Sequence, residues 1–229
     1  MSAPVGAPEV PGLAPAPAVL ELRQACRVHG SGATAVNALV AANLQVRPGE
    51  LVAVMGPSGS GKSTLLNLAG ALDRATDGQV LIEGEDVAAL SPDALAVLRR
   101  RRIGFVFQDF NLIPSLTAGE NVALPLELDG LRPSRARRAA TDALVGGRRL
   151  VLADEPTGAL DSHTGEAVLG VLRDRCDAGA AGLLVTHEAR HAAWADRVIF
   201  LRDGRIVDTA GEPGSPDDLL APIARPRRS

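Results

Sequence analysis

The stretch Gly56-Pro57-Ser58-Gly59-Ser60-Gly61-Lys62-Ser63-Thr64 fits the pattern G-x-x-x-x-G-K-[ST] and constrains the fold more than any other part of the chain. An apolar run, Leu51 to Met55, enters it as a strand would, and Leu65, Leu66, Leu68 and Leu72 leave it at helical spacing. Glycines let the backbone curl until successive N–H groups point at one phosphate, and the start of the following helix adds partial positive charge there. Lys62 would reach the β- and γ-phosphates, and the Ser63 hydroxyl would take a place on Mg²⁺. A Gly/Ser-rich linker matches such a pattern by chance, but a linker needs neither a strand before it nor a leucine-striped helix behind it. Lys62 is also the only lysine in the chain, every other basic side chain being arginine. A compact ammonium at a phosphate is a different chemical object from a surface guanidinium.

A chain of 229 residues suits one α/β domain and leaves little room for a second. Its net charge of −3, with acids and bases interspersed, argues for no nucleic-acid partner and no attraction to an anionic membrane surface. Cys26 and Cys176 show neither metal spacing nor a disulfide framework, which points to a reducing, cytoplasmic setting. No run approaches the roughly eighteen apolar residues that a spanning helix requires. Residues 1–18, rich in Ala and Pro, read as a flexible arm, and residues 209–229 as a solvated tail. The domain is expected over residues 19–208.

Within it, a strand over Val19 to Val28 and a second apolar run over Ala38 to Val46 form an antiparallel layer leading into the phosphate-loop strand. Gln79 to Ile82 is a further short strand. Pro92 opens a helix through Arg102, whose four successive arginines, Arg99 to Arg102, read as a solvated helix end. Ile103-Gly104-Phe105-Val106-Phe107 is a strand with Gln108 at its carboxyl lip, where ligands sit in open parallel sheets. Residues Asp109 to Leu128 read as an irregular or partly helical insertion with an apolar face suited to a partner. Leu150-Val151-Leu152-Ala153-Asp154-Glu155 runs a buried strand into two acids. There Asp154 would hold Mg²⁺ through its waters and Glu155 would polarise an attacking water, an effect typically of about 10²- to 10⁴-fold. An acidic turn that caps the next helix is the other reading, disfavoured by the phosphate loop. A helix from His163 to Cys176, closed by Gly179, leads to the strand Gly182 to Thr186 and His187. His187 would face the γ-phosphate with Gln108, Asp154 and Glu155, whereas His163 and His191 have no such placement. Asp203-Gly204, between Arg197 to Leu201 and Arg205 to Val207, marks a hairpin.

The order of phosphate loop, glutamine lip, Leu152-Ala153-Asp154-Glu155-Pro156-Thr157-Gly158-Ala159-Leu160-Asp161 and Val185-Thr186-His187 resembles the ATP-binding subunit of ABC transporters. Gly56 to Asn67, Ile103 to Pro114 and Leu152 to Gly158 are most similar to the macrolide-export and lipoprotein-release branch. The resemblance implies an α/β P-loop NTPase with a mainly parallel core sheet, an N-terminal antiparallel β layer and a helical insertion over about 109–147. It implies binding and hydrolysis of ATP with Mg²⁺, a site on the inner face of the cell membrane, and two partners, an integral membrane permease and a second ATP-binding subunit. Gln108 would sense Mg²⁺ and couple to the permease, Glu155 would be the catalytic base, Asp161 an inter-subunit contact and His187 the γ-phosphate switch. Phe110 to Pro125 would dock on the permease.

Two departures stand out. The family places an aromatic residue where this chain has Val28-His29-Gly30, and the chain contains no tyrosine, so His29 would have to stack on adenine. No Leu-Ser-Gly-Gly-Gln signature precedes Asp154, and Leu144-Val145-Gly146-Gly147-Arg148 lies too close to the strand at Leu150 to replace it. The insertion is therefore read as truncated, removing the N–H donors that one subunit lends to the phosphate on its partner. A nucleotide-binding but hydrolysis-deficient subunit is the alternative this raises. A soluble P-loop kinase is disfavoured by Gln108, Gly158 to Asp161 and His187 standing in transporter order.

Overall fold

The computed structural model describes residues 16–107, 132, 148–158 and 162–210. Residues 1–15 of the arm, Gln108, the insertion apart from Arg132, Ala159 to Asp161 and the tail from residue 211 lie outside the described residues.

Two sheets flank a central helix. The first has the order β2-β1-β4-β5, in which β1 (Leu20–His29) pairs antiparallel with β2 (Val36–Val46) and β4 (Asp77–Ile82), and β5 is Glu85–Asp86. This is the expected antiparallel layer, with β2 starting at Val36 rather than Ala38 and β4 at Asp77 rather than Gln79.

The second sheet has six strands. They are β3 (Leu51–Met55), β6 (Ile103–Val106), β7 (Leu150–Asp154), β8 (Ala181–Val185), β9 (Arg197–Arg202) and β10 (Arg205–Ala210), in the order β10-β9-β3-β8-β7-β6. All pairings are parallel except β9 with β10. Leu51 to Val54 and all of β8 are buried, as continuous apolar strands covered on both faces must be.

Helix α1 (Lys62–Ala69) buries Leu65, Leu66, Leu68 and Ala69 in one core shared by the two sheets. Leu72, expected on the same stripe, is 48% exposed, because the helix stops at Gly70 and the next residue, Ala71, is left-handed (φ 52°), turning the chain back so that Leu72 N–H bonds Asn67 O at 2.9 Å. Helix α2 (Pro92–Arg102) begins as read, with Ser91 accepting from the Ala94 N–H and proline in the first turn. Its arginine end differs from the expectation: Arg99 donates to Ala71 O at 2.7 Å and Arg102 pairs with Glu83 at 3.0 Å, tying the helix to neighbouring loops.

Helix α3 (Ser162–Asp177) covers a smaller core of Leu51, Ala153, Leu169, Leu172, Cys176 and Leu184. A short helix, α4 (Ala189–Ala192), follows β8. The β9–β10 hairpin turns on Asp203 (φ 49°) and Gly204 (φ 74°), the pair of left-handed residues that a two-residue hairpin requires. No described helix is long and apolar enough to cross a membrane.

Candidate functional site

The loop between β3 and α1 is shaped by contacts that only glycine permits. Gly56 (φ 148°) and Gly61 (φ 104°) lie where a β-carbon would run into Leu201 O and Ala38 O respectively. Gly61 also occupies the N-cap of α1 without a side-chain cap, so the first N–H groups of the helix remain for a ligand. Lys62 lies back over the loop, its Nζ donating to Gly56 O at 2.8 Å and Pro57 O at 2.9 Å. Ser60 is buried, and its carbonyl accepts from Gly204 N–H at 2.9 Å while Gly204 O accepts from Val40 N–H at 2.8 Å. The hairpin turn thus braces the phosphate loop against β2.

Strand β7 delivers the acids. The Ser63 hydroxyl hydrogen-bonds Asp154, whose carboxyl is pushed above the ordinary aspartate range by burial and then by the neighbouring Glu155 charge, with Lys62 and Ser63 opposing. The next residue, Glu155, has a left-handed backbone (φ 43°), a conformation costly for a side-chain-bearing residue. Its N–H donates to Val185 O at 2.9 Å, and its carbonyl closes a turn by accepting from Gly158 N–H at 3.0 Å. This twist carries its side chain to His187, with Nδ1 3.1 Å from Oε1.

Ser58, Gly59, Gly61 to Thr64, Asp154 and Glu155 line one cleft of about 550 Å³, closed by Val36 to Ala38 from β2 and by Asp203-Gly204. Sequence reasoning missed the second group. The Asp-Gly turn was legible, but its place against the loop depends on tertiary packing. His29, proposed for the base, is exposed and does not line the cleft; its cross-strand partner Val36 does. Gly56, Pro57 and Ser60 support the loop from behind rather than lining it. Gln108 lies outside the described residues.

The donor set fits the groups the motif implies. A lysine and an uncapped helix start suit phosphate oxygens, and a hydroxyl hydrogen-bonded to a carboxylate is a hard-oxygen pair suited to Mg²⁺. No cluster of three or more His, Cys, Asp or Glu among the described residues would hold a metal by itself. Such an ion would therefore share its ligands with phosphate oxygens and water, as Mg²⁺ commonly does.

A glycine-shaped loop opening a helix, with a lysine on it and two acids at the end of a nearby parallel strand, defines a phosphate-loop nucleotide-binding protein. Comparison with known proteins narrows this. Residues 39–145 match the model of the ABC transporter family. The macrolide export ATP-binding/permease protein MacB of Hyphomonas neptunium is 41% identical over 225 residues, covering 85% of this chain and 35% of that protein. MacB of Salmonella choleraesuis is 42% identical over 220 residues, covering 83% and 34%. The chain thus spans about a third of the length of these curated relatives. The ATP-binding cassette MJ0796, solved as a dimer in a post-hydrolysis state bound to ADP and Pi, superposes with a TM-score of 0.74 at 36% identity, covering 83% of this chain and 97% of that one. The chain belongs to the ABC transporter family, as an ATP-binding cassette. In the Hyphomonas alignment the matched length exceeds the part of this chain it takes in, so that relative carries residues there with no counterpart here.

Proposed function

We propose that this chain binds Mg-ATP and drives an export-type permease from the inner face of the cell membrane, working as one of a pair of ATP-binding subunits. The observation that carries the reading is the convergence of Lys62, Ser63, Asp154, Glu155 and His187 at the carboxyl ends of β3, β7 and β8. In it the loop N–H groups and Lys62 hold the phosphates, and Ser63, Asp154 and Gln108 hold the magnesium. That ion, when bound, offsets phosphate charge. Glu155 accepts a proton from the attacking water, and His187, held beside it, contacts the γ-phosphate. Val36, with His29 next to it, offers the base an apolar edge. The stretch Phe110 to Pro125 docks on the permease, and Asp161 reaches the second cassette. The structure of MJ0796 as a dimer supports pairing, and the joint ATP-binding/permease name of the MacB proteins supports the membrane partner.

The absence of a Leu-Ser-Gly-Gly-Gln stretch before Asp154 favours a second reading, a nucleotide-binding but hydrolysis-deficient regulatory or vestigial subunit. That the Hyphomonas relative carries residues in the aligned stretch with no counterpart here is consistent with the shortened insertion on which this reading rests. One experiment separates the two readings. ATP turnover is measured for the chain alone and mixed with an intact homologous cassette, each with and without Glu155→Gln. The first reading expects the mixture to turn over more ATP than the intact cassette alone, an excess that Glu155→Gln removes while leaving ATP binding intact; no excess supports the second.

A further inference from the structure

The pair formed by Glu155 and His187 is half exposed: the His187 side chain retains 62% of its accessible surface and that of Glu155 25%. Pairs so placed hold their geometry weakly. Directly beside it, the same two segments are joined again by a buried contact, Thr157 Oγ1 to His191 Nδ1 at 3.0 Å. Thr157 is 8% exposed and His191 5%. Thr157 is the third residue of the turn that Gly158 N–H closes onto Glu155 O. His191 stands four residues beyond His187, on α4, with its own N–H bonded to Glu188 O.

The surroundings leave Thr157 little choice of rotamer. Gly165 of α3 lies so close that a β-carbon there would stand 3.2 Å from the Thr157 methyl, which packs the methyl on α3 and leaves the hydroxyl for His191. Around the imidazole stand Glu188, Arg190 and His187 from its own segment and Glu166 from α3. Burial, against the pull of Glu188, keeps the ring below the ordinary histidine range, so it is neutral at pH 7 and suited to a neutral hydroxyl. The left-handed backbone at Glu155 persists only where its surroundings over-determine it, and this bond is the buried side-chain link that ties its turn to the His187 segment.

We propose that His191 is a positioning residue: through Thr157 it holds the turn carrying Glu155 at the distance from His187 seen here. Its effect on turnover rests on the hydrolytic reading above; its effect on geometry does not. The chain has four histidines, so the ring Cε1–H signals are separable by NMR. In the otherwise unaltered protein, Glu155→Gln shifts the His187 signal at fixed pH. In a Thr157→Val background, which keeps the shape and removes the hydroxyl, that response falls by half or more, whereas Thr157→Ser keeps it. A folded Thr157→Val protein with an undiminished response overturns the proposal. Should Thr157→Val not fold, His191→Phe, which keeps a ring and removes the nitrogen, is read the same way.

In a mixture with an intact homologous cassette, Thr157→Val lowers kcat by about ten- to a hundredfold with KM unchanged, as misplacement of a reacting group does. Thr157→Ser restores it. An equal rise in KM with kcat preserved would also overturn the proposal. If the unaltered mixture shows no turnover beyond that of the intact cassette alone, the hydrolytic reading fails and the NMR response alone decides this one.

Discussion

Both ends of the parallel sheet set acids beside a basic side chain, arginine at one and lysine at the other, and they use them oppositely. At the amino end Arg197 and Arg173 are both paired with acids. Arg197 meets Glu50 at 2.9 Å and also donates to Gln45 O, Arg173 reaches Asp196 at 2.7 Å and Gly49 O at 2.9 Å, and Asp196 accepts from Leu51 N–H. At the carboxyl end two acids, Asp154 and Glu155, stand side by side, and the nearby ammonium of Lys62 is hydrogen-bonded to loop carbonyls. The first end spends its charges on holding strands together. The second keeps unlike and like charges close without neutralising them, which costs stability and leaves electrostatic work for a ligand to do. Burial alone does not make the difference. Cys176, under α3, has its thiol pushed up to about 11 by burial, yet it lies sealed in the core and is inert.

Breaking the carboxyl end should therefore abolish function and spare the fold. The largest effect expected is from Glu155→Gln, which keeps shape but removes the base. Turnover in a mixture with an intact cassette should fall by about 10²- to 10⁴-fold, with the melting temperature little changed. Lys62→Ala comes next. Losing the ammonium removes charge-assisted contacts of roughly 1.5–3 kcal/mol each, so ATP affinity measured by calorimetry should drop by about a hundredfold. Equal affinity before and after that substitution would show that the loop is not the phosphate site.

Breaking the amino end should do the reverse. Arg173→Ala removes the guanidinium that pairs with Asp196 and donates to Gly49 O, with an expected loss of about 2 kcal/mol in denaturant unfolding. ATP affinity should be unchanged. A loss of binding without a loss of stability would erase the contrast between the two ends.

Much of the carboxyl end was legible in the sequence because its chemistry is local. A glycine-lysine-serine loop must follow a strand and open a helix, and an apolar run ending in Asp154-Glu155 must place both at a strand's lip. What was not legible depended on distant partners. Helix α1 ends where Ala71 turns left-handed, a conformation an alanine does not announce, so Leu72, in register with its stripe, is left outside. The arginines closing α2 were read as solvated because their acceptors, Ala71 O and Glu83, belong to other segments. His191 looked unremarkable since its partner Thr157 is 34 residues away. The antiparallel layer was read correctly, but nothing local shows that the turn at Asp203-Gly204 reaches the phosphate loop, or that Val36 rather than His29 faces the cleft.

The smallest expected effect is the sharpest test of the contrast, because it predicts that damaging the site stabilises the protein. Asp154 is held above the ordinary aspartate range, so the folded state binds its proton more tightly than the unfolded chain does. Its favourable contribution is complete below the ordinary value of 3.8 and is lost as pH rises through the folded value. Above the folded value the carboxylate is charged, half-buried and next to Glu155, and the fold bears that cost. Asp154→Asn removes the charge and keeps the shape, so the nucleotide-free variant should melt higher than the parent at pH 7. The gap should narrow on acidification and close below the ordinary aspartate range. Melting curves of both proteins across pH 3 to 8 decide it: a variant that melts lower at pH 7, or a gap that widens in acid, would mean that Asp154 is a stabilising partner of Ser63 and Lys62. The carboxyl end would then be wired like the amino end.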